Sequence, residues 1–316
     1  MSENTPMNLL KHIPFLESSN YSPWPMRLIG LTPWQKTERT TKEILDEYNN
    51  IWYKNALQAW ENYADTHEYP TPSRFFRLFD NIVYNQMVQN FEIYGIDKDE
   101  HLISINRELY TAKWSVISAL YDNLLVDNLE YYTNAFQAPT LVELGCGTGK
   151  NLFNAYTRLS LNNIIGGEIC SNAVKLGNSI VERCNIEGSF KAFDYFQSDC
   201  INSVVSGING NYILFTSHSI EQIQLNQTNF IEQILTLEHP PEVIIHFEPI
   251  FDENEPTFFQ KLHHLYTEKN LYNKDLLNEL RKYGNKGKIK IVSLETDVFG
   301  LSAFNPTSVV VWKIQK

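Results

Sequence analysis

The sequence predicts an α/β fold in which helices flank a mostly parallel sheet that ends in an antiparallel hairpin. From about Trp114 onward, short apolar runs alternate with amphipathic helical stretches. Residues 140–150 contain three glycines and have the form of a strand, a tight turn and a helix. The last two apolar runs, residues 288–293 and 308–312, are joined without a helical stretch, and strands joined in this way pair antiparallel.

The N-terminal part of the chain has a helical pattern. One set of apolar residues recurs every four positions, as on one face of a long helix. Its members are Ile44, Tyr48, Trp52, Ala56 and Trp60. After a turn at residues 69–72, Ser73 is a candidate N-cap for a second helix, which carries Phe75, Phe76 and Phe79.

A third N-terminal helix is predicted from Asp97 and Glu100, which have the spacing of a capping box. An arm rich in proline and aromatic residues, residues 14–33, precedes the helices. We therefore expect a helical cap over residues 1–111, followed by an α/β domain over residues 112–316.

The remaining strands of the α/β domain follow the glycine-rich turn. They are predicted at residues 164–168, 189–193, 212–217 and 243–247. Helical stretches lie between them, for example residues 173–184 and 229–237. With the run at residues 140–144, these segments predict five parallel strands before the terminal hairpin.

Composition excludes several classes of function. With 43% hydrophobic and 20% charged residues, the 316-residue chain resembles a globular protein that buries a large core. A net charge of −11 and no visible basic patch argue against nucleic-acid binding. No apolar run approaches a membrane span, and the first residues lack a secretory signal. The four cysteines show no Cys-x-x-Cys spacing, which predicts reduced thiols in a cytoplasmic protein.

The glycine-rich turn is the most specific feature. Glu143 ends the strand before it, and the glycines occupy alternate positions 145, 147 and 149. The dinucleotide fingerprint Gly-x-Gly-x-x-Gly differs, because here the third glycine comes one residue early and Lys150 takes its place. A carboxylate before the turn also suits a cationic amino group better than a pyrophosphate. The next strand ends in Glu168, about 20 residues past the turn, where a ribose diol is expected to bind.

This acid followed by Gly-x-Gly-x-Gly resembles the first motif of the class I S-adenosylmethionine-dependent methyltransferases, and the resemblance covers roughly residues 112–316. It implies a Rossmann-like sheet of seven strands and S-adenosylmethionine as the cofactor. Glu168 would hold the ribose, and Asp194 the adenine amino group, with Asp199 as its competitor. The cofactor-binding residues implied in this way are Glu143, Gly145, Cys146, Gly147, Thr148, Gly149, Glu168, Ile169, Asp194 and Ser217.

Candidate catalytic residues follow the fourth and fifth parallel strands. His218 ends the fourth strand, where an imidazole takes a proton near neutral pH. Ser219 and Gln222 match a capping box, and Glu221 between them is a further candidate for contacting the substrate or acting as the base. Glu248 ends the fifth strand, before Pro249, and is expected beside His218 at the same edge of the sheet. His246, two residues earlier, is expected to be a core histidine.

The function predicted from these features is O- or N-methylation of a small molecule or short peptide. The sequence has no acid-rich cluster of the kind seen in catechol-type methyltransferases, so a metal-independent reaction is expected. Two alternatives remain. One is a catalytically silent relative that binds the cofactor or a protein partner, and the other is an NAD-dependent oxidoreductase. The sequence carries no signal for an oligomeric state.

Overall fold

The computed structural model describes residues 9–33, 41–80, 100–251 and 256–315. The helices are α1 (Trp24–Leu28), α2 (Thr41–Glu47), α3 (Lys54–Thr66), α4 (residues 72–80), α5 (Trp114–Phe136), α6 (Lys150–Arg158), α7 (Ser171–Cys184), α8 (Cys200–Val205), α9 (Phe230–Leu235), α10 (Phe258–Asn270) and α11 (Leu276–Asn285). The strands are β1 (Lys11–His12), β2 (His101–Ile105), β3 (Glu108–Ala112), β4 (Thr140–Leu144), β5 (Asn163–Glu168), β6 (Gly188–Ala192), β7 (Tyr212–Ser217), β8 (Val243–Glu248), β9 (Ile289–Gly300) and β10 (Thr307–Ile314).

The ten strands of the described residues form one mixed sheet, in the order β1-β3-β2-β9-β10-β8-β7-β4-β5-β6. The five strands β4 to β8 are parallel to one another, and β10 pairs antiparallel with both β8 and β9. The predicted parallel strands and the terminal hairpin are therefore present. The chain order reverses between β4 and β7, and ligands of open α/β sheets bind at the carboxyl ends of strands at such a point.

The expected seven-stranded sheet is wrong in its count, because β1, β2 and β3 extend it beyond β9. Strand β2 pairs with residues 299–300 at the end of β9, and β3 then pairs with β2 and with β1. The third N-terminal helix predicted from Asp97 and Glu100 is also wrong at its described end. Asp97 lies outside the described residues, and Glu100 is followed at once by β2. The β-branched residues Ile103 and Ile105 favour a strand here, and pairing with the end of β9 selected it.

The first two predicted N-terminal helices are present, with two differences. Ser73 is not a cap, because α4 begins at residue 72, and the Ser73 hydroxyl lies 3.4 Å from the Thr157 hydroxyl. Pro72 favours the first helical turn, where its missing N–H is not needed. The long helix is interrupted by a π-helical turn, Tyr48–Tyr53, between α2 and α3. The wider turn changes which side chains face inward there, since π-bulges insert an extra residue into the helix.

Helices cover both faces of the sheet. On one face α3, α5, α6 and α7 pack over alternate strand residues such as Leu141 and Ile213, and Trp60 of α3 is fully buried among them. On the other face α8, α9 and α11 pack over Val142 and Leu214. The N-terminal helix α3 therefore shares a core with the sheet. Among the described helices, none has both the length and the apolar character that a membrane crossing requires.

Candidate active site

The glycine-rich turn has the tight backbone that its sequence predicts. Gly145, Gly147 and Gly149 all have positive φ angles, of 72°, 52° and 76°. A Cβ atom on Gly145 would lie 2.4 Å from the Cβ of Ser219, and one on Gly149 would lie 2.6 Å from the ring of Phe190. These positions therefore require glycine for both conformation and space. The backbone N–H groups of Gly145 and Cys146 donate to the Gly167 carbonyl in β5, at 2.8 and 3.1 Å.

Glu143 of β4 is buried behind this turn. Its Oε1 accepts a hydrogen bond of 2.7 Å from Nδ2 of Asn151, whereas Oε2 is a buried atom with no partner among the described residues. Burial raises the pKa of Glu143 well above its usual range; the Asn151 hydrogen bond opposes this, and Glu168 and Glu248 add to it. An unpaired buried carboxylate oxygen is costly, and a cationic ligand group would offset that cost.

Glu168 lies at the end of β5, directly against the turn. Its two carboxylate oxygens accept hydrogen bonds of 2.9 Å from the backbone N–H groups of Gly147 and Cys170. Burial raises the pKa of Glu168, and these backbone donors oppose the shift. The Glu168 carboxylate thus holds the glycine-rich turn in position.

A surface cavity of about 310 Å³ lies at the carboxyl ends of β5 and β6, and it is lined by Ile169, Asp194 and Asp199 among other residues. Asp194 accepts a hydrogen bond of 3.0 Å from the backbone N–H of Phe196, and Asp199 is exposed. Ile169 is 43% exposed, so its side chain offers an apolar wall for a flat ring. Asp194 and Asp199, the two carboxylates predicted for the adenine amino group, therefore line the same cavity.

The π-helical turn of the N-terminal region covers the glycine-rich turn. The Tyr53 hydroxyl lies 3.1 Å from the position that a Gly147 Cβ would take. Burial raises the pKa of Tyr53 well above its usual range, and Glu168 raises it further. Asn49, one turn earlier, accepts a hydrogen bond of 2.9 Å from the backbone N–H of Asn172 in the first turn of α7. The N-terminal region thus contacts both the turn and the helix that follows β5.

His218 leads out of β7 with a positive φ angle of 50°. Its Nδ1 lies 3.1 Å from Oε2 of Glu221, and its Nε2 lies 2.7 Å from the hydroxyl of Thr307 at the start of β10. Because the carboxylate only accepts, Nδ1 carries a proton and Nε2 of the neutral ring is an acceptor. Burial lowers the pKa of His218, but Glu221 more than offsets this, so the net shift is upward. The imidazole is therefore a stronger base than usual.

Glu221 is buried next to Nδ1 of this histidine. It also accepts hydrogen bonds from Asn305 Nδ2 at 2.9 Å and from Gln222 Nε2 at 3.0 Å. Burial tends to raise the pKa of Glu221, but His218 and these two donors lower it below its usual value. The opposite shifts of the two partners show that Glu221 stabilises the protonated form of His218 when that form arises.

Glu248 is brought beside His218, as expected from the strand ends, but its contacts differ from those of a free base. Its carboxylate accepts hydrogen bonds from the backbone N–H groups of Ser219, Ile220 and Glu221, at 3.0–3.3 Å. Burial raises its pKa to about 7, and His218 opposes the shift. Glu248 thus holds the short 3-10 turn of residues 220–222 from the neighbouring strand.

The capping box predicted for Ser219 and Gln222 is wrong. The turn has no side-chain cap of its own, because Glu248 already accepts from its first N–H groups. The Ser219 hydroxyl instead donates to the carbonyl of Leu144 at 3.0 Å and lies 2.8 Å from the Tyr195 hydroxyl. Ser219 therefore links the His218 segment to the glycine-rich turn.

The remaining predicted residues lie around this centre. The Ser217 hydroxyl is 2.7 Å from the Tyr121 hydroxyl of α5. Cys146 is buried within the turn, and burial raises its pKa well above the usual range, so it is an unreactive filler. Thr148 is half-buried in the same turn. The core assignment of His246 is confirmed by bonds of 2.9 Å to Thr216 and Trp312.

Several residues of the site had no local signal in the sequence. Tyr53, Tyr121 and Thr307 reach it from segments 89 or more positions away from the residues they meet. Only the sheet and the packed N-terminal helices bring them together. Tyr195 is the exception, because it directly follows Asp194 after β6, where a search for polar residues at strand ends would have found it.

Neither a protein-family model nor a curated protein matches the sequence. Among solved structures, the chain is similar to the methyltransferase domain of bacterial CtHen1-C, with 14% identity, a TM-score of 0.43 and coverage of 62% of this chain and 100% of that one. For geranyl diphosphate C-methyltransferase from Streptomyces coelicolor A3(2), solved with S-adenosyl-L-homocysteine, identity is 13%, the TM-score 0.44 and coverage 65% and 82%. The [4+2]-cyclase SpnF is similar at 16% identity and a TM-score of 0.41, over 56% and 59%. Similarity at this level assigns no function, which is inferred from the residues of the chain itself.

Proposed function

We propose that this protein is an S-adenosylmethionine-dependent methyltransferase that modifies oxygen or nitrogen on a small molecule or short peptide. The observation that carries the proposal is the buried Oε2 of Glu143, which has no partner among the described residues and lies behind the glycine-rich turn. A carboxylate in this position fits an ammonium group and disfavours the pyrophosphate of a dinucleotide.

The residues present fit the cofactor part by part. Glu143 would bind the amino group, and the backbone of Gly145 and Gly147 would approach the methionine portion. Glu168 would accept hydrogen bonds from the ribose hydroxyls. The cavity at Ile169 and Asp194 would enclose the adenine. S-adenosylmethionine supplies a methyl group on a positively charged sulfur, and buried carboxylates around it favour that charge.

The acceptor side lies at His218. Its imidazole would remove a proton from a hydroxyl or an amine, while Glu221 keeps Nδ1 protonated and stabilises the imidazolium. Glu248 would act as a positioning residue, because its carboxylate holds the backbone that carries His218. Methyl transfer otherwise requires alignment alone, so we propose a metal-independent reaction. We further propose that residues 1–111 act as the cap of the site and residues 112–316 as the catalytic domain.

Ligand-induced thermal stabilisation tests the proposal, because a ligand that binds only the native state raises the melting temperature. S-adenosylmethionine and S-adenosylhomocysteine should both raise Tm, and NAD should leave it unchanged. A shift with NAD alone would indicate an oxidoreductase. Incubation of a cell extract with methyl-labelled cofactor, followed by mass spectrometry, then separates an active enzyme from a silent relative.

A further inference from the structure

We propose that the methyl acceptor is an amine that binds as a cation, between the Glu221 carboxylate and a rim formed by Tyr48, Tyr53 and Tyr272. This inference rests on the proposed function and narrows its acceptor from oxygen or nitrogen to nitrogen. The groups that carry it are the carboxylates around the site, a buried acceptor atom without a partner and the aromatic side chains of the rim.

The carboxylates make the site acidic. Glu143, Glu168, Glu221 and Glu248 are all at least 93% buried at the carboxyl edge of the sheet. Among the described residues, no lysine or arginine forms a salt bridge with any of them, and only His218 pairs with one. Mutual repulsion and burial both disfavour four ionised carboxylates, so the site favours bound positive charge. An anionic acceptor such as a carboxylate would be repelled.

A second observation concerns Asn305, which lies beside Glu221. Its Nδ2 donates to Oε2 of Glu221 at 2.9 Å, whereas its Oδ1 is a buried acceptor without a partner among the described residues. The Asn305 side chain is 8% exposed. Glu221 and Asn305 thus place two kinds of acceptor oxygen close together. An ammonium group, with up to three N–H donors, satisfies both, whereas a hydroxyl offers one donor.

The tyrosine rim connects the two halves of the site. Tyr48 and Tyr53 have ring centroids 5.9 Å apart, and Tyr53 lies over Gly147. On the other side, Tyr272 directly precedes Asn273, whose backbone N–H donates to the Glu221 carbonyl at 2.8 Å. Burial raises the pKa of Tyr272, and Glu221 and Tyr48 add to the shift. Aromatic faces next to carboxylates bind organic cations through cation–π attraction. The rim therefore lies between the glycine-rich turn and the acceptor side.

The chemical step balances with His218 as the base. An ammonium that arrives as R–NH₃⁺ gives one proton to the neutral imidazole of His218, at the Nε2 atom that lies 2.7 Å from the Thr307 hydroxyl in this structure. The freed nitrogen lone pair forms a bond to the methyl carbon as the carbon–sulfur bond breaks, and that bond's electron pair goes to sulfur. The product leaves as a methylated ammonium ion, and the proton on His218 passes to solvent.

The test compares three compounds of similar shape, namely 2-phenylethylamine, 2-phenylethanol and phenylacetate. Each is titrated calorimetrically into the protein saturated with S-adenosylhomocysteine. We expect the amine to bind about tenfold or more tightly than the alcohol, and phenylacetate to bind weakest. Equal or tighter binding of the alcohol, or no binding by the amine, overturns the inference. If S-adenosylhomocysteine itself does not bind, the proposed function fails instead.

Variants assign the preference to the named residues. Glu221→Gln should weaken amine binding by about tenfold while changing alcohol binding little, and Glu268→Gln, in the exposed pair with His264, should change neither. Tyr48 is 44% exposed, so its substitution spares the core. Tyr48→Leu should weaken amine binding by about two- to fivefold, whereas Tyr48→Phe keeps the ring and the affinity. The matched control is Tyr131→Leu, at a tyrosine that is 67% exposed on α5. Equal effects of Tyr48→Leu and Tyr131→Leu on amine binding would exclude a role of the tyrosine rim in that binding.

Discussion

The Oε1 atom of Glu248 lies 3.0 Å from the backbone nitrogen of Ser219, so the last residue of β8 holds the segment that follows β7. The same serine donates through its hydroxyl to the carbonyl of Leu144, where β4 enters the glycine-rich turn. Three adjacent strand ends are thereby tied together. The histidine that precedes Ser219 is placed by this connection and not by a cap within its own segment.

Glu168 is expected to bind the cofactor ribose. Glu168→Ala should weaken S-adenosylmethionine binding, because two charge-assisted hydrogen bonds of ~1.5–3 kcal/mol each would be lost. Calorimetric titration measures the change. Glu168→Gln keeps one acceptor oxygen for Gly147 or the ribose and should lose less affinity. Unchanged affinity in Glu168→Ala would remove the residue from the cofactor site.

Gly145 is expected to be irreplaceable, because both its φ angle and its contact with Ser219 exclude a side chain. Gly145→Ala should therefore lower Tm and abolish the thermal shift by S-adenosylmethionine. Gly207 is a matched control, since its φ angle is 86° but no atom lies within 4 Å of an added Cβ. Gly207→Ala should cost only the left-handed strain, ~1–2 kcal/mol, and leave cofactor binding intact. Equal losses of binding in the two variants would contradict the steric explanation.

His218 is expected to act as the general base. His218→Ala should lower the rate of the chemical step by ~10²–10⁴-fold with little change in cofactor affinity. Because its φ angle is positive, His218→Asn is the better control for backbone strain, as asparagine tolerates this conformation. The two variants should be similarly inactive. A loss of less than about threefold would leave catalysis to positioning alone.

The pH dependence of the rate follows from the same residue. The upward-shifted pKa of His218 keeps its imidazole protonated, and so inactive as a base, over a wider acidic range. Activity should therefore rise with pH and reach its plateau only above the usual imidazole pKa of about 6.5. Glu221→Gln removes the carboxylate that causes the shift, so its rising limb should move to lower pH. Coincident profiles would contradict the His218–Glu221 pairing.

The pKa shift of His246 leads us to expect a pH effect on stability. Burial lowers its pKa to about 3, and Trp312 donates to one ring nitrogen, so the native imidazole stays neutral. Below pH ~6.5 only the unfolded chain gains this proton, and stability is lost by ~1.4 kcal/mol per pH unit until the native pKa is reached. In His246→Gln this loss is absent. In denaturant titrations, the unfolding free energy of the wild type should therefore exceed that of His246→Gln by less at pH 5 than at pH 7.

Trp60 tests whether the N-terminal helices share the core of the sheet. It is fully buried, and its Nε1 donates to the hydroxyl of Ser179 in α7 at 3.0 Å. Trp60→Ala should lower the unfolding free energy by ~3–5 kcal/mol, the range for truncation of a large core side chain. Trp52 is half-buried in the preceding π-helical turn, so Trp52→Ala should lower the unfolding free energy by less. Two separate unfolding transitions in the wild type would instead indicate independent domains.

The sequence by itself determined the α/β class, the five parallel strands and the terminal hairpin. Periodicity and glycine spacing are local properties, and each of these elements lies within one stretch of chain. The alternate glycines at 145, 147 and 149 likewise predicted the tight turn, and the strand-end positions placed Glu143 and Glu168 beside it. His218 and Glu248 were expected at one edge because parallel strands end together.

Only the tertiary structure decided the rest. Residues 101–112 became strands because the end of β9 offered an edge to pair with, and that edge is set by residues nearly 200 positions away. The role of Glu248 changed from a free carboxylate to a backbone acceptor because β7 and β8 are neighbours in the sheet. Tyr53, Tyr121 and Thr307 reached the site through packing of distant segments. Such contacts depend on the sum of many burial and pairing energies, and no local pattern of residues encodes them.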